Sequence, residues 1–146
     1  MAKIPARFIG FDHVVFRVTD LQKTIDFYKD VLGLRVERIF DRIGLHQVRC
    51  GRNLIDLVPV PAGQTPPDPA NRGIEHLCLF VEGDLDEIIA ALKANGVPIC
   101  MGPMEIYGAT GFGTSVYIKD PDGYELELKV DYAQNPVHFS PPSKPQ

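Results

Sequence analysis

The chain has 146 residues, 45% of them hydrophobic, and a chain of this length buries roughly 68–70% of the surface its unfolded form exposes, enough for a core without staples. Its formal charge is −4, and its Lys and Arg are scattered rather than clustered, which argues against a nucleic-acid footprint or binding to an anionic membrane. The start lacks the apolar run of a secretory signal and no stretch approaches the ~20 apolar residues of a membrane span, so a soluble cytoplasmic protein is expected.

In chain order, the first strand pattern is Asp12-His13-Val14-Val15-Phe16-Arg17-Val18, followed by Asp20-Leu21. The spacing of Leu21, Ile25, Tyr28 and Leu32 predicts an amphipathic helix over 21–32, with Asp20 as N-cap and Gly33 as its stop. Strands follow at 34–40, 45–50 and 54–60, the last two separated by the turn Gly51-Arg52-Asn53. The stretch from Pro59 to Arg72 holds five prolines and reads as a linker, centred on 61–72, between a first module at 8–60 and a second at 73–130. The second module opens with Glu75-His76-Leu77-Cys78-Leu79-Phe80-Val81, and Asp84 then caps a helix carrying Leu85, Ile88, Ile89 and Leu92 that ends at Asn95-Gly96. Strands are expected at 99–101, 115–119 and 124–130, the last two joined by the turn Asp120-Pro121-Asp122-Gly123. Between them, the glycine-rich segment 102–113 leads into a strand rather than a helix, so it lacks the helix N-terminus of a phosphate loop and reads as a flexible flap over an active site. Residues 131–146 are proline-rich and too polar to pack alone, which makes them a tail. Cys50, Cys78 and Cys100 have no zinc spacing and cannot all pair; two lie inside strand patterns, where a free thiol serves as a small buried hydrophobe.

The order is βαβββ written twice, an α+β architecture. A histidine opens each copy, His13 and His76, and each copy closes on an alternating strand with a carboxylate, Leu54-Ile55-Asp56-Leu57-Val58 and Glu125-Leu126-Glu127-Leu128-Lys129. A single His at a strand start is more often a hydrogen-bonded structural residue, but a repeat-related pair is not so easily explained. If the copies pack about a pseudo-twofold axis, two imidazoles and two carboxylates come together, a ligand set for an octahedral divalent metal. Glu125 and Glu127 fall on the same strand face, so alternation does not separate them. His46 and His138 lie outside the repeat and read as surface or supporting residues.

The run from Asp12 to Leu21, the segment Phe27-Tyr28-Lys29-Asp30-Val31-Leu32-Gly33-Leu34, His76 in its strand and the stretch from Asp120 to Leu128 together resemble the vicinal oxygen chelate superfamily. That superfamily includes glyoxalase I, methylmalonyl-CoA epimerase, extradiol dioxygenases, fosfomycin-modifying enzymes and bleomycin-binding resistance proteins. The resemblance covers residues 8–130 and implies a cupped mixed sheet, a homodimer, a small-molecule substrate and one divalent metal ion: Fe, Mn, Ni, Co or Zn. It implies His13, His76 and Glu127 as ligands and puts Asp56 where glyoxalase I has a Glu, one methylene longer. A glyoxalase-like lyase or isomerase is then expected, in which the metal stabilises an enediolate and Glu127 moves the proton. An extradiol dioxygenase would use the same three ligands for Fe(II), and Tyr117, ten residues before Glu127, agrees with that family's strand pattern although its upstream His is absent. Bleomycin-sequestering relatives use the cup without metal and generally lack the full ligand set.

Overall fold

The computed structural model describes residues 11–68, 74–109 and 111–131. The chain divides into two compact units, one up to Pro66 and one from Pro67, a division that falls inside the proline-rich stretch.

In the first unit β1 (His13–Val18) leads into α1 (Leu21–Asp26), and β2 (Arg35–Phe40), β3 (Leu45–Cys50) and β4 (Asn53–Pro59) form an antiparallel meander that returns beside β1. The sheet order is β1-β4-β3-β2, with β1 and β4 parallel. The second unit repeats the plan: β5 (His76–Phe80), α2 (Leu85–Ala94), β6 (Met101–Gly108), β7 (Gly111–Lys119) and β8 (Glu125–Asp131), in the order β5-β8-β7-β6 with β5 and β8 parallel. The βαβββ repeat is therefore present as two sheets of one topology.

Both helices start as the sequence leads one to expect. Asp20 accepts a hydrogen bond from the Lys23 amide and Asp84 from the Glu87 amide, each at 3.0 Å, satisfying a backbone donor that the first helical turn leaves open. The first helix departs from the expected single run to residue 32: from Phe27 to Val31 it widens into a π-turn, and the Leu32 amide donates to the Phe27 carbonyl five residues back. Two consecutive rings there, Phe27 and Tyr28, are both buried and meet edge to face at 5.5 Å. The turn then stops at Gly33, whose φ of +69° lies in the left-handed region.

Period-two alternation builds each core. Phe16, Val18, Val48, Ile55 and Leu57 are buried on one face of the first sheet, with α1 against β4. In the second unit Leu79, Val116, Ile118, Leu126 and Leu128 do the same, joined in burial by Leu85 and Leu92 of α2. The opposite face of each sheet carries the polar groups His13, Asp56 and Gln47 in the first unit and His76, Glu127 and Ser115 in the second, among apolar neighbours such as Val15 and Phe80. At the β7–β8 turn the Asp120 carboxylate accepts from the Asp122 and Tyr124 amides, both at 2.9 Å, closing the loop that Asp-Pro-Asp-Gly signals.

Three expectations need correction. Segment 102–113 is not a loop but a paired hairpin, in which Met104 faces Ser115, Ile106 faces Gly113 and Tyr107 faces Phe112. Glycines interrupt its alternation and hide the strands, although the described residues from Met104 to Gly108 pair in register with Gly111 to Ser115. Cys78 is not a core hydrophobe; it is exposed, in register with Glu127 on the polar face of its sheet. The tail does not begin at 131, because Asp131 is still paired with Gly113; residues 132–146, including His138, lie outside the described residues. No helix among the described residues is long and apolar enough to cross a membrane.

Candidate metal centre

Strand register explains why each histidine shares a face with a carboxylate of the neighbouring strand. In the first unit His13 stands beside Leu54, and Asp56 is two residues further along the same strand; in the second His76 stands beside Glu125, with Glu127 two further on. Neighbours in register point to the same side of a sheet, and a step of two returns to that side. The offset is identical in the two units. Both Glu125 and Glu127 lie on the face of His76, and it is the Glu127 carboxylate that meets the imidazole.

In the second unit His76 Nε2 lies 3.1 Å from Glu127 Oε2, and Ser115 Oγ donates to Glu127 Oε1 at 2.6 Å. Glu127 is only 2% exposed. The Tyr117 ring meets His76 edge-on at 5.4 Å between centroids. Burial first, and then the charge of Glu127 and a hydrogen bond to it, push the Tyr117 hydroxyl up to about 12. The Cys78 thiol is pushed up to about 11 by burial, by the Glu127 charge and by a hydrogen bond to Glu127, with Lys129 pulling the other way. A serine, a tyrosine and a cysteine therefore direct their hydrogens at one buried carboxylate.

In the first unit His13 Nδ1 lies 2.7 Å from Asp12 Oδ1. That bond is the main reason the His13 pKa is raised; desolvation opposes it and the charges of Asp56 and Asp12 add to it. Asp56 is 4% exposed, and both its oxygens accept from Gln47 Nε2, at 3.1 and 3.2 Å. Gln47 thus occupies the side of Asp56 that faces β3. His46 plays no part here: its Nδ1 lies 3.1 Å from the Gly44 carbonyl oxygen.

The donor set suits a borderline divalent ion. Imidazole and carboxylate donors bound at ~2.1 Å and at right angles to each other stand about 3 Å apart, and His76 Nε2 and Glu127 Oε2 are 3.1 Å apart. Ser115 fixes the other Glu127 oxygen, the kind of outer hydrogen bond that orients a ligating carboxylate. The sequence singles out His13, Asp56, His76 and Glu127, and gives no sign of Gln47 or Ser115, which contact Asp56 and Glu127. His76 and Glu127 are brought into contact within one unit, and His13 and Asp56 share a face of the other. Among the described residues no group of three or more His, Cys, Asp and Glu side chains is gathered in a metal-holding arrangement.

A family profile matches residues 10–128, and the chain belongs to the Glyoxalase/Bleomycin resistance protein/Dioxygenase superfamily. Members generally use a divalent metal, act on small molecules and commonly form dimers or paired domains. The chain is 33% identical over 127 residues to the virulence protein STM3117 of Salmonella typhimurium, covering 80% of this chain and 81% of that protein. The crystal structure of STM3117 matches with a TM-score of 0.71 at 29% identity, over 86% of this chain and 99% of that one. Two enzymes are more distant. Lactoylglutathione lyase GLX1 of Arabidopsis thaliana is 27% identical over 81% of this chain, which spans 43% of its length. Biphenyl-2,3-diol 1,2-dioxygenase 2 of Rhodococcus globerulus is 28% identical over 86% of this chain, which spans 65% of its length.

Proposed function

We propose that this chain is a metal-dependent lyase or isomerase of the glyoxalase I type, acting on a small molecule that presents two adjacent oxygens. His13, His76 and Glu127 would hold one divalent ion, Fe, Mn, Ni, Co or Zn, with Asp56 in the fourth place and the working form a homodimer. The bound ion would supply Lewis acidity to a carbonyl oxygen. The observation that carries the reading is the Glu127 carboxylate, buried, with Oε1 taken by Ser115 and Oε2 turned to His76. With Oε1 fixed by Ser115, Oε2 would act as the base once substrate oxygens weaken its bond to the ion, taking a proton from the carbon beside a carbonyl and returning it to the neighbouring carbon. Asp56 is one methylene shorter than glutamate and is held by Gln47, which favours a single proton-moving carboxylate, Glu127.

The test is Glu127→Gln, which keeps a neutral oxygen of the same reach and removes the base. The variant is expected to retain most of its metal and to lose turnover of 2-oxoaldehyde hemithioacetals by roughly 10²–10⁴-fold, the usual size of a general-base contribution. Unchanged turnover would defeat the reading.

Tyr117 favours a second reading, an extradiol-type dioxygenase. Its ring lies against His76 and its hydroxyl donates to Glu127, a phenol beside the carboxylate that would complete a 2-His-1-carboxylate set with His13 and His76. Catechol turnover with oxygen uptake, and none on hemithioacetals, would select it. Activity on neither class would defeat both readings, and a purified protein free of metal would favour a drug-binding relative.

A further inference from the structure

The first sheet carries a cation that the proposed chemistry does not use. β2 pairs with β3 through Arg35 opposite Arg49 and Val36 opposite Val48, and the register then slips by one residue so that Arg38, rather than Glu37, stands opposite Gln47. In an unbroken strand the pleat would put Arg35 and Glu37 on the face shared with Arg49, and Arg38 on the other. A β-bulge re-aims a side chain, and this one brings Arg38 round to the polar face. Val15, Asp56, Gln47 and Arg38 consequently form one row across all four strands.

The charges on this face are unequally matched. Glu37 is taken up by the Arg49 guanidinium through two contacts, 2.7 and 2.6 Å, and by Arg35 at 2.9 Å. Asp56 is held by Gln47. Arg38 is exposed and makes no hydrogen bond or ion pair among the described residues. A guanidinium presents parallel N–H donors that match the two oxygens of a carboxylate. Two strand spacings put the Arg38 and Asp56 backbones about 10 Å apart, a gap that an extended arginine stem shortens.

We propose that Arg38 is a specificity-determining residue that binds a carboxylate at the far end of the substrate, several carbons from the adjacent oxygens that chelate. This rests on the chelation reading above and narrows its substrate class to acids of that length. Calorimetry would compare two probes alike except at the tip, 2-oxoadipate and 2-oxohexanoate, binding to the full chain loaded with the divalent ion it carries on purification. The native protein is expected to bind 2-oxoadipate about 10–100-fold more tightly, the size of a hydrogen-bonded charge pair. Arg38→Met should erase that preference and leave 2-oxohexanoate binding and metal content unchanged, while Arg38→Lys should restore part of it. Equal binding of the two probes by the native protein, or an undiminished preference in Arg38→Met, would overturn the role of Arg38 alone. Binding of neither probe, or a protein without metal, would overturn the chelation reading together with it.

Discussion

A carboxylate that is 2% exposed in a β-sheet persists only where donors match its oxygens, and Glu127 collects its donors from β5 and β7. The same arrangement makes its neighbours poor acids. Cys78 is exposed to reagent, yet with a pKa near 11 about one molecule in a thousand is thiolate at pH 8. Iodoacetamide labelling of the metal-free protein at that pH, followed by peptide mass spectrometry, should therefore modify Cys78 about 100-fold more slowly than an unperturbed thiol. The sign for Glu127→Gln is opposite: removing the negative charge favours the thiolate, and labelling should accelerate. Labelling of native Cys78 at an ordinary rate would show that the thiol does not sit against the carboxylate.

At the level of elements, the glycines of segment 102–113 have a packing role. A Cβ at Gly113 would run into the Val130 carbonyl oxygen and lie 2.7 Å from Lys129 Cε, and one at Gly108 would lie 3.1 Å from Lys129 Nζ. The Lys129 side chain, 2% exposed, fills the space they leave, and its ammonium donates to the Gly111 carbonyl at 2.5 Å. Gly113→Ala must therefore shift backbone rather than a flexible side-chain end. It is expected to cost about 1–3 kcal/mol, with the melting temperature falling roughly 2–4 °C for each. A melting curve that matches the native protein would mean that the hairpin does not approach β8 so closely. The β2 bulge is a second local departure from regular pairing, two strands from Asp56.

For the whole molecule, the proposal that one ion draws ligands from both halves has a direct consequence. If His13 and His76 serve the same ion, His13→Ala and His76→Ala should each lose most of the metal, whereas two separate sites would each lose only their own share. A ligand that binds the folded state alone adds RT ln(1 + [L]/Kd) to stability, so a chelator should lower the melting temperature of the native protein and leave the two variants nearly unchanged. Elemental analysis and thermal melts in parallel would check this, and a chelator without effect on native protein that carries metal would contradict it.

Much of this was legible in the chain itself, for a local reason. Alternation, the caps at Asp20 and Asp84 and the turn at Asp120 depend on residues within a few positions of one another, so the βαβββ repeat, its two histidines and its closing carboxylate strands could be read directly, while the family resemblance singled out Glu127. What surrounds those ligands could not. Ser115 meets Glu127 across 12 residues of sequence and Gln47 meets Asp56 across 9, contacts that exist only because antiparallel strands pair in one register. The glycine-rich segment reads as a loop because glycine carries no alternation signal, yet pairing with β7 makes it a strand. The bulge that turns Arg38 onto the polar face leaves no mark in composition or period. Register is a property of two strands together, and in this protein the placing of Cys78 and the row that ends in Arg38 were decided there.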